Sequence, residues 1–141
     1  MNVVTDTNIV ISGYLWRGAP NRLLNAAKHG QITRFTSDAL FAEVVGVLHR
    51  PKFAAVFHRN DTTANAVLAE YAALTSRVVA APLPMPVCDD PDDDAVLACA
   101  VAANADVIAT GDDDLLRLGS YGGVQISTVG ALLQRLATSA S

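Results

Sequence analysis

Apolar residues recur along this chain in two rhythms. Short apolar runs at residues 3–5, 32–36, 77–80, 107–110 and 124–127 are bounded by polar or turn residues and read as strands. Between them, apolar positions fall at helical spacing. A helix runs from Asn8 to about Trp16, with Thr7 or Asn8 as its cap. Pro20 opens a second over residues 21–29, and Gly30 closes it. Ser37 or Asp38 caps a third that runs to about His49 and stops at Pro51. A fourth starts at Asp61 and reaches about Ser76, with Ala64, Val67, Leu68, Tyr71 and Leu74 on one stripe. Pro91 or Asp92 opens a fifth, to about Ala103, and shorter helices follow over 113–118 and 129–136. The segment Ala81-Pro82-Leu83-Pro84-Met85-Pro86 is incompatible with helix interior or central strand and reads as an extended connector.

Strand followed by helix, repeated, means a parallel sheet covered on both faces. The expected fold is a three-layer α/β/α sandwich with a central parallel sheet of about five strands, in a single domain over residues 1–141. In such sheets ligands bind beyond the carboxyl ends of the strands.

Composition narrows the class. Hydrophobic residues make up 51% and charged residues 17%, which fits a packed core and excludes a disordered chain. No basic leader with an apolar stretch and cleavage site is visible, and no apolar run nears the ~20 residues of a membrane span, so a cytoplasmic location is expected. Cys88 and Cys99 lack any zinc-type spacing with each other or with histidine and read as small apolar thiols. The net charge of −4 disfavours nucleic acid at first sight, yet its distribution reverses the picture. Residues 1–60 carry seven Lys/Arg against three acids, and residues 61–141 carry three against eleven. A basic half beside an acidic half suits an ion-holding centre flanked by phosphate-attracting side chains, and ordinary solvated surface is the alternative.

The acids sit where an α/β fold brings distant segments together. Asp6 follows the first strand, Asp112 follows the strand ending Thr110-Gly111, and Asp94 opens a nearly unbroken apolar helix. Each also has a plain structural role available: Asp6 and Asp112 as helix caps, the 92–94 acids as partners of a helix dipole. Glu43 lies at the margin of the Leu40, Val44, Val47, Leu48 stripe, where a snorkelling surface acid is common. Jointly, carboxylates meeting at one point repel unless a cation lies between them. Oxygen donors without a His/Cys cluster favour Mg²⁺ or Mn²⁺ over zinc. The run Asp89–Asp94 lacks the Gly and terminal Glu of an EF-hand loop, and no P-loop is present.

Four blocks carry a family likeness: Val4-Thr5-Asp6-Thr7-Asn8-Ile9-Val10-Ile11-Ser12; Glu43-Val44-Val45-Gly46-Val47-Leu48-His49-Arg50-Pro51-Lys52-Phe53; Asp90-Pro91-Asp92-Asp93-Asp94-Ala95-Val96-Leu97-Ala98; and the stretch from Ala105 to Leu116 through Thr110-Gly111-Asp112-Asp113-Asp114. In this order they resemble PIN-domain proteins, of the VapC-like kind that act as toxins in bacterial toxin–antitoxin pairs. The resemblance implies a metal-dependent endoribonuclease with Asp6, Glu43, Asp94 and Asp112 as its acidic set. Asp6, Asp94 and Asp112 then bind the metal, with Asp114 a further ligand, and Glu43 activates water. Asn8 and Thr110 match polar positions that hold the carboxylates in place. Asp90, Asp92 or Asp93 are available to assist Asp94. A homodimer and a small antitoxin protein are implied as partners. From charge alone, Arg17, Arg22, Arg50 and Lys52 are candidates for the RNA backbone, with Tyr14, Trp16, Phe41 and Phe53 the nearest aromatics for stacking. Two other functions fit an α/β domain with acids at strand ends: a catalytically silent PIN-fold binding module, and a receiver-type phosphotransfer domain. The latter wants a lysine after a late strand, and no lysine follows Lys52.

Overall fold

A computed structural model describes residues 1–140. Its order is β1 (Asn2–Thr5), α1 (Thr7–Leu15), α2 (Ala19–Lys28), β2 (Thr33–Thr36), α3 (Asp38–Leu48), a 3₁₀ turn (Pro51–Phe53), α4 (Ala54–Arg59), α5 (Ala64–Leu74), β3 (Thr75–Arg77), α6 (Pro91–Ala102), β4 (Val107–Ala109), α7 (Asp113–Leu118), β5 (Ser120–Tyr121), β6 (Val124–Ser127) and α8 (Val129–Ala140). The sheet runs β3-β2-β1-β4-β6-β5, parallel throughout except for the β5–β6 pair.

The two most apolar strands are central. Val3, Val4, Val107, Ile108 and Ala109 are fully buried, as expected of strands with helices on both faces. Val4 and Ile108 face α6 through Val96, Leu97 and Ala100, and Val3 and Val107 face α2 and α8 through Leu23 and Leu132. A third cluster joins α1, α3, α4 and α5 through Val10, Ile11, Val44, Leu48, Phe57 and Tyr71. Close packing of α1 on α2 depends on Gly13: a Cβ there would stand 3.1 Å from the carbonyl oxygen of Pro20.

The register Val4↔Ile108 and Thr5↔Ala109 ends both central strands at the same edge. Asp6 and Thr110 are therefore neighbours, although more than a hundred positions separate them. This edge is also where α1, α3 and α7 begin.

Of the three caps available to α1, Asp6 takes the place and Thr7 and Asn8 do not. Four local expectations change. The helix expected from Asp61 to Ser76 is shorter, Ala64–Leu74, because Asp61 takes a left-handed φ of 55° and Thr63 supplies the cap, and the separate α4 precedes it. The strand expected over 77–80 lies earlier, at Thr75–Arg77, and Val79 is almost wholly exposed. The sheet has six strands, not five, because a tight Gly122-Gly123 turn adds the short antiparallel β5. The last helix runs beyond 136, to Ala140.

Candidate active site

Each acid reaches the sheet edge by a different local cause. Asp6 leaves β1 in extended geometry and caps α1, its Oδ1 accepting from the Ile9 amide at 3.0 Å. Its Oδ2 accepts from the Thr110 hydroxyl. Thr110 Oγ1 in turn accepts from the Asp112 amide at 2.9 Å, so one buried threonine aligns both strand ends. Asp112 caps α7, its Oδ1 accepting from the Asp114 and Leu115 amides at 2.9 and 3.0 Å. Asp90 caps α6 and accepts from the Asp92 amide at 2.9 Å.

These side chains line an open cleft of about 100 Å³. Asp6, Glu43, Asp93 and Asp112 bring acids from four elements, Asp90 and Asp92 lie at its rim, and Thr7 and Asn8 complete it. Carboxylate oxygens of Asp93, Asp112 and Asp114 lie within 4.8 Å of one another. Asp114 is exposed and pairs with Arg117 at 3.1 Å.

Burial and like charge act together here. Asp93 is only 8% exposed; desolvation first, then the charges of Asp112, Asp90, Asp6 and Asp114, push its carboxyl up to about 6. Desolvation also raises Asp6, against the hydrogen bond from Thr110. Glu43 is raised by burial and by Asp92, Asp90 and Asp6. The Thr7 hydroxyl favours the charged form of Glu43 by proximity. No hydrogen bond of ordinary geometry joins them, and Thr7 Oγ1 is buried without a partner. A set of oxygen donors under mutual repulsion, with an unpartnered hydroxyl beside it, fits a hard divalent cation.

Asp94 is a correction. Its carboxylate turns away from the cleft and accepts from the backbone amides of Val87 and Cys88, at 3.1 and 2.8 Å. It lines a separate, mostly apolar cavity of about 370 Å³ beneath the proline-rich connector, with Leu83, Met85 and Ala98. The physical reason is helical phase. Asp93 stands three, four and seven residues before Val96, Leu97 and Ala100, all buried. Asp94 shares its stripe with Ala98 and the exposed Val101. Residues 95–102 are apolar throughout, so the sequence leaves that phase open, and the packing of α6 on the sheet selects Asp93 over its neighbour. Thr7 carried no sequence signal beyond its place next to Asp6.

A model of the PIN domain matches residues 2–114. The chain belongs to the PIN-domain family. The PIN fold is also recovered by structure: the molecule superposes on a chain of the crystal structure of VapBC2 from Rickettsia felis bound to a DNA fragment from their promoter, with a TM-score of 0.58 and 16% identity over 91% of this chain and 98% of that one. No curated protein matches. PIN domains are characteristically nucleases that use divalent metal, and the buried acids here accord with that family chemistry. Among the described residues no helix of this PIN domain is long and apolar enough to cross a membrane. Arg17, Arg22, Arg50 and Lys52 are all exposed.

Proposed function

We propose that this PIN domain is a metal-dependent endoribonuclease, the toxin of a toxin–antitoxin pair, working in the cytoplasm as a homodimer restrained by a small antitoxin protein. One observation carries the reading: acids from the β1–α1 junction, α3, α6 and the β4–α7 turn converge on one cleft. The toxin assignment draws support from the fold shared with a chain of the VapBC2 assembly.

Asp6, Asp93 and Asp112 would hold Mg²⁺ or Mn²⁺, with Asp114 at the margin. Such an ion, when bound, polarises a phosphodiester and lowers the pKa of water. The chain supplies the rest. Thr110 fixes Asp6 and, through the Asp112 amide, the β4–α7 turn. Glu43, raised by burial and neighbouring acids, accepts a proton from the attacking water more readily than a free glutamate near neutral pH. Asn8, on the first turn of α1, lines the cleft where the scissile group would lie. The exposed Arg17, Arg22, Arg50 and Lys52 bind the phosphate backbone of RNA.

The test is cleavage of mixed RNA by the purified chain with Mn²⁺, with Mg²⁺ and with EDTA. Cleavage in both metals, loss in EDTA, and a fall of ~10²-fold or more in Asp6→Asn are expected. Hydrolysis indifferent to chelation removes the reading.

A further inference from the structure

Trp16 is the only tryptophan of the chain, and it is 51% exposed. It ends α1, packed edge-to-face on Phe53 with ring centroids 6.4 Å apart. Phe53 is itself buried, and Lys52 Nζ stands over its ring at 5.1 Å. Arg17 adjoins Trp16 and Arg50 opens the turn that carries Lys52, both exposed. A large aromatic surface is thus held in a defined orientation on a ring that carries Lys52, with Arg17 next to it in the chain and Arg50 two residues before Lys52. Between Asp6 and Asp61 the sequence holds only two acids, Asp38 and Glu43, both on α3, against seven Lys/Arg, of which Arg34 is buried and Lys28 pairs with Glu70, leaving five. The patch therefore favours an anionic partner with flat apolar faces, and a single-stranded nucleic acid has both properties.

Its place in the fold adds a direction. Thr7 lines the acidic cleft, and Trp16 ends the same helix nine residues later, roughly 14 Å away at 1.5 Å per residue. That distance spans about four stacked nucleotides at ~3.4 Å each. We infer that Trp16 is a base-stacking platform for single-stranded RNA, holding an unpaired base about four nucleotides from the bond cut at the cleft, with Lys52, Arg50 and Arg17 on the flanking phosphates. The inference rests on the ribonuclease reading for the identity of its ligand, and its test does not require cleavage.

Full-length protein in EDTA is titrated with a single-stranded RNA dodecamer, with binding followed by anisotropy of a labelled strand and stacking by the emission of the single tryptophan. Saturable quenching in step with anisotropy is expected, and a duplex of the same sequence, whose bases are already stacked, leaves the emission unchanged. Trp16→Ala weakens binding about tenfold while Trp16→Phe retains most of it. Lys52→Gln lowers the salt slope by about 0.7. RNA that binds by anisotropy while the emission stays constant overturns the stacking platform and leaves the nuclease reading intact. Emission that responds to an acidic peptide and not to RNA assigns the patch to a protein partner and overturns it as well. Absence of any RNA binding, together with absence of cleavage in Mn²⁺, overturns both.

Discussion

Charge is held away from bulk water in two places in this PIN domain, and only one of them opens to solvent. In the acidic cleft, Asp6, Asp93 and Asp112 repel one another, but an ion can enter and end the repulsion. Beneath α1 and α5 lies Arg34, 3% exposed, with Nε and Nη2 lacking any hydrogen-bond partner. It stands over the face of Tyr71, 5.6 Å from the ring centroid. Tyr71 stacks on Phe41 at 5.7 Å, and Phe41 carries Arg77 at 4.4 Å. The buried Tyr14 hydroxyl lies beside the Arg34 guanidinium without a hydrogen bond of ordinary geometry, and desolvation pushes its pKa up to about 12 against the pull of the Arg34 charge. Glu70, whose charge acts on Tyr14, is engaged by Lys28 at 2.9 Å. Among the described residues no carboxylate pairs with Arg34. Like charge in an open cleft can be relieved by a ligand, and so points to function. An unpaired charge in a sealed site is a permanent burden on the fold.

The sharpest break in that comparison lies within the cleft's own helix. Asp93→Asn should reduce RNA cleavage ~10²-fold or more, and Asp94→Asn by less than tenfold, measured as kcat/KM in Mn²⁺. The reverse order would place the ligand on the wrong stripe of α6. Asp94→Ala should instead lower stability by about 1–3 kcal/mol in urea unfolding, since two amides, Val87 and Cys88, lose their acceptor.

The sealed site responds to substitution in the opposite direction. Arg34→Met keeps the volume, removes the unpaired cation, and should raise the urea midpoint, by about 1–3 kcal/mol in stability. A destabilised Arg34→Met protein would mean that the stacking of Arg34 on Tyr71 outweighs its desolvation.

Millimolar Mn²⁺ should raise the melting temperature of the wild type by several degrees, and that of Asp93→Asn or Asp112→Asn far less, read by differential scanning fluorimetry. Equal shifts in all three proteins would move the ion elsewhere.

The smallest effect concerns pH in metal-free protein. The folded chain holds the Asp93 proton more tightly than the unfolded chain, because its carboxyl is raised from the ordinary 3.8 to about 6. That stabilisation is complete below about pH 4 and is lost as pH rises through 6. Two units correspond to ~3 kcal/mol at most, and solvent in the open cleft reduces this to about 1 kcal/mol. The stability of Asp93→Asn relative to wild type should therefore improve from pH 4 to pH 7, and added Mn²⁺ should abolish the trend.

Much of this was legible beforehand. The apolar runs located β1 and β4 to within a residue or two, since buried strands leave a continuous signature, and the alternation Val124-Gln125-Ile126 located β6, which has one face exposed. Gly122-Gly123 between Tyr121 and Val124 is a hairpin signature, both glycines having positive φ, and it marks the strand that the apolar pattern alone overlooks. The acids at positions 6 and 112 stand out by their places after strands, Glu43 is marked only by the family likeness, and Asp93 is hidden in a run of identical residues.

The sequence by itself determined the alternation of strand and helix, the two central strands and the acids at their ends, because burial and capping are local requirements written into residue type. Only the tertiary structure decided which aspartate of the 92–94 run enters the cleft and that Thr110 ties Asp6 to Asp112. Those outcomes depend on the rotational phase of α6 and on the pairing of β1 with β4, and both are set by packing between segments far apart in the chain.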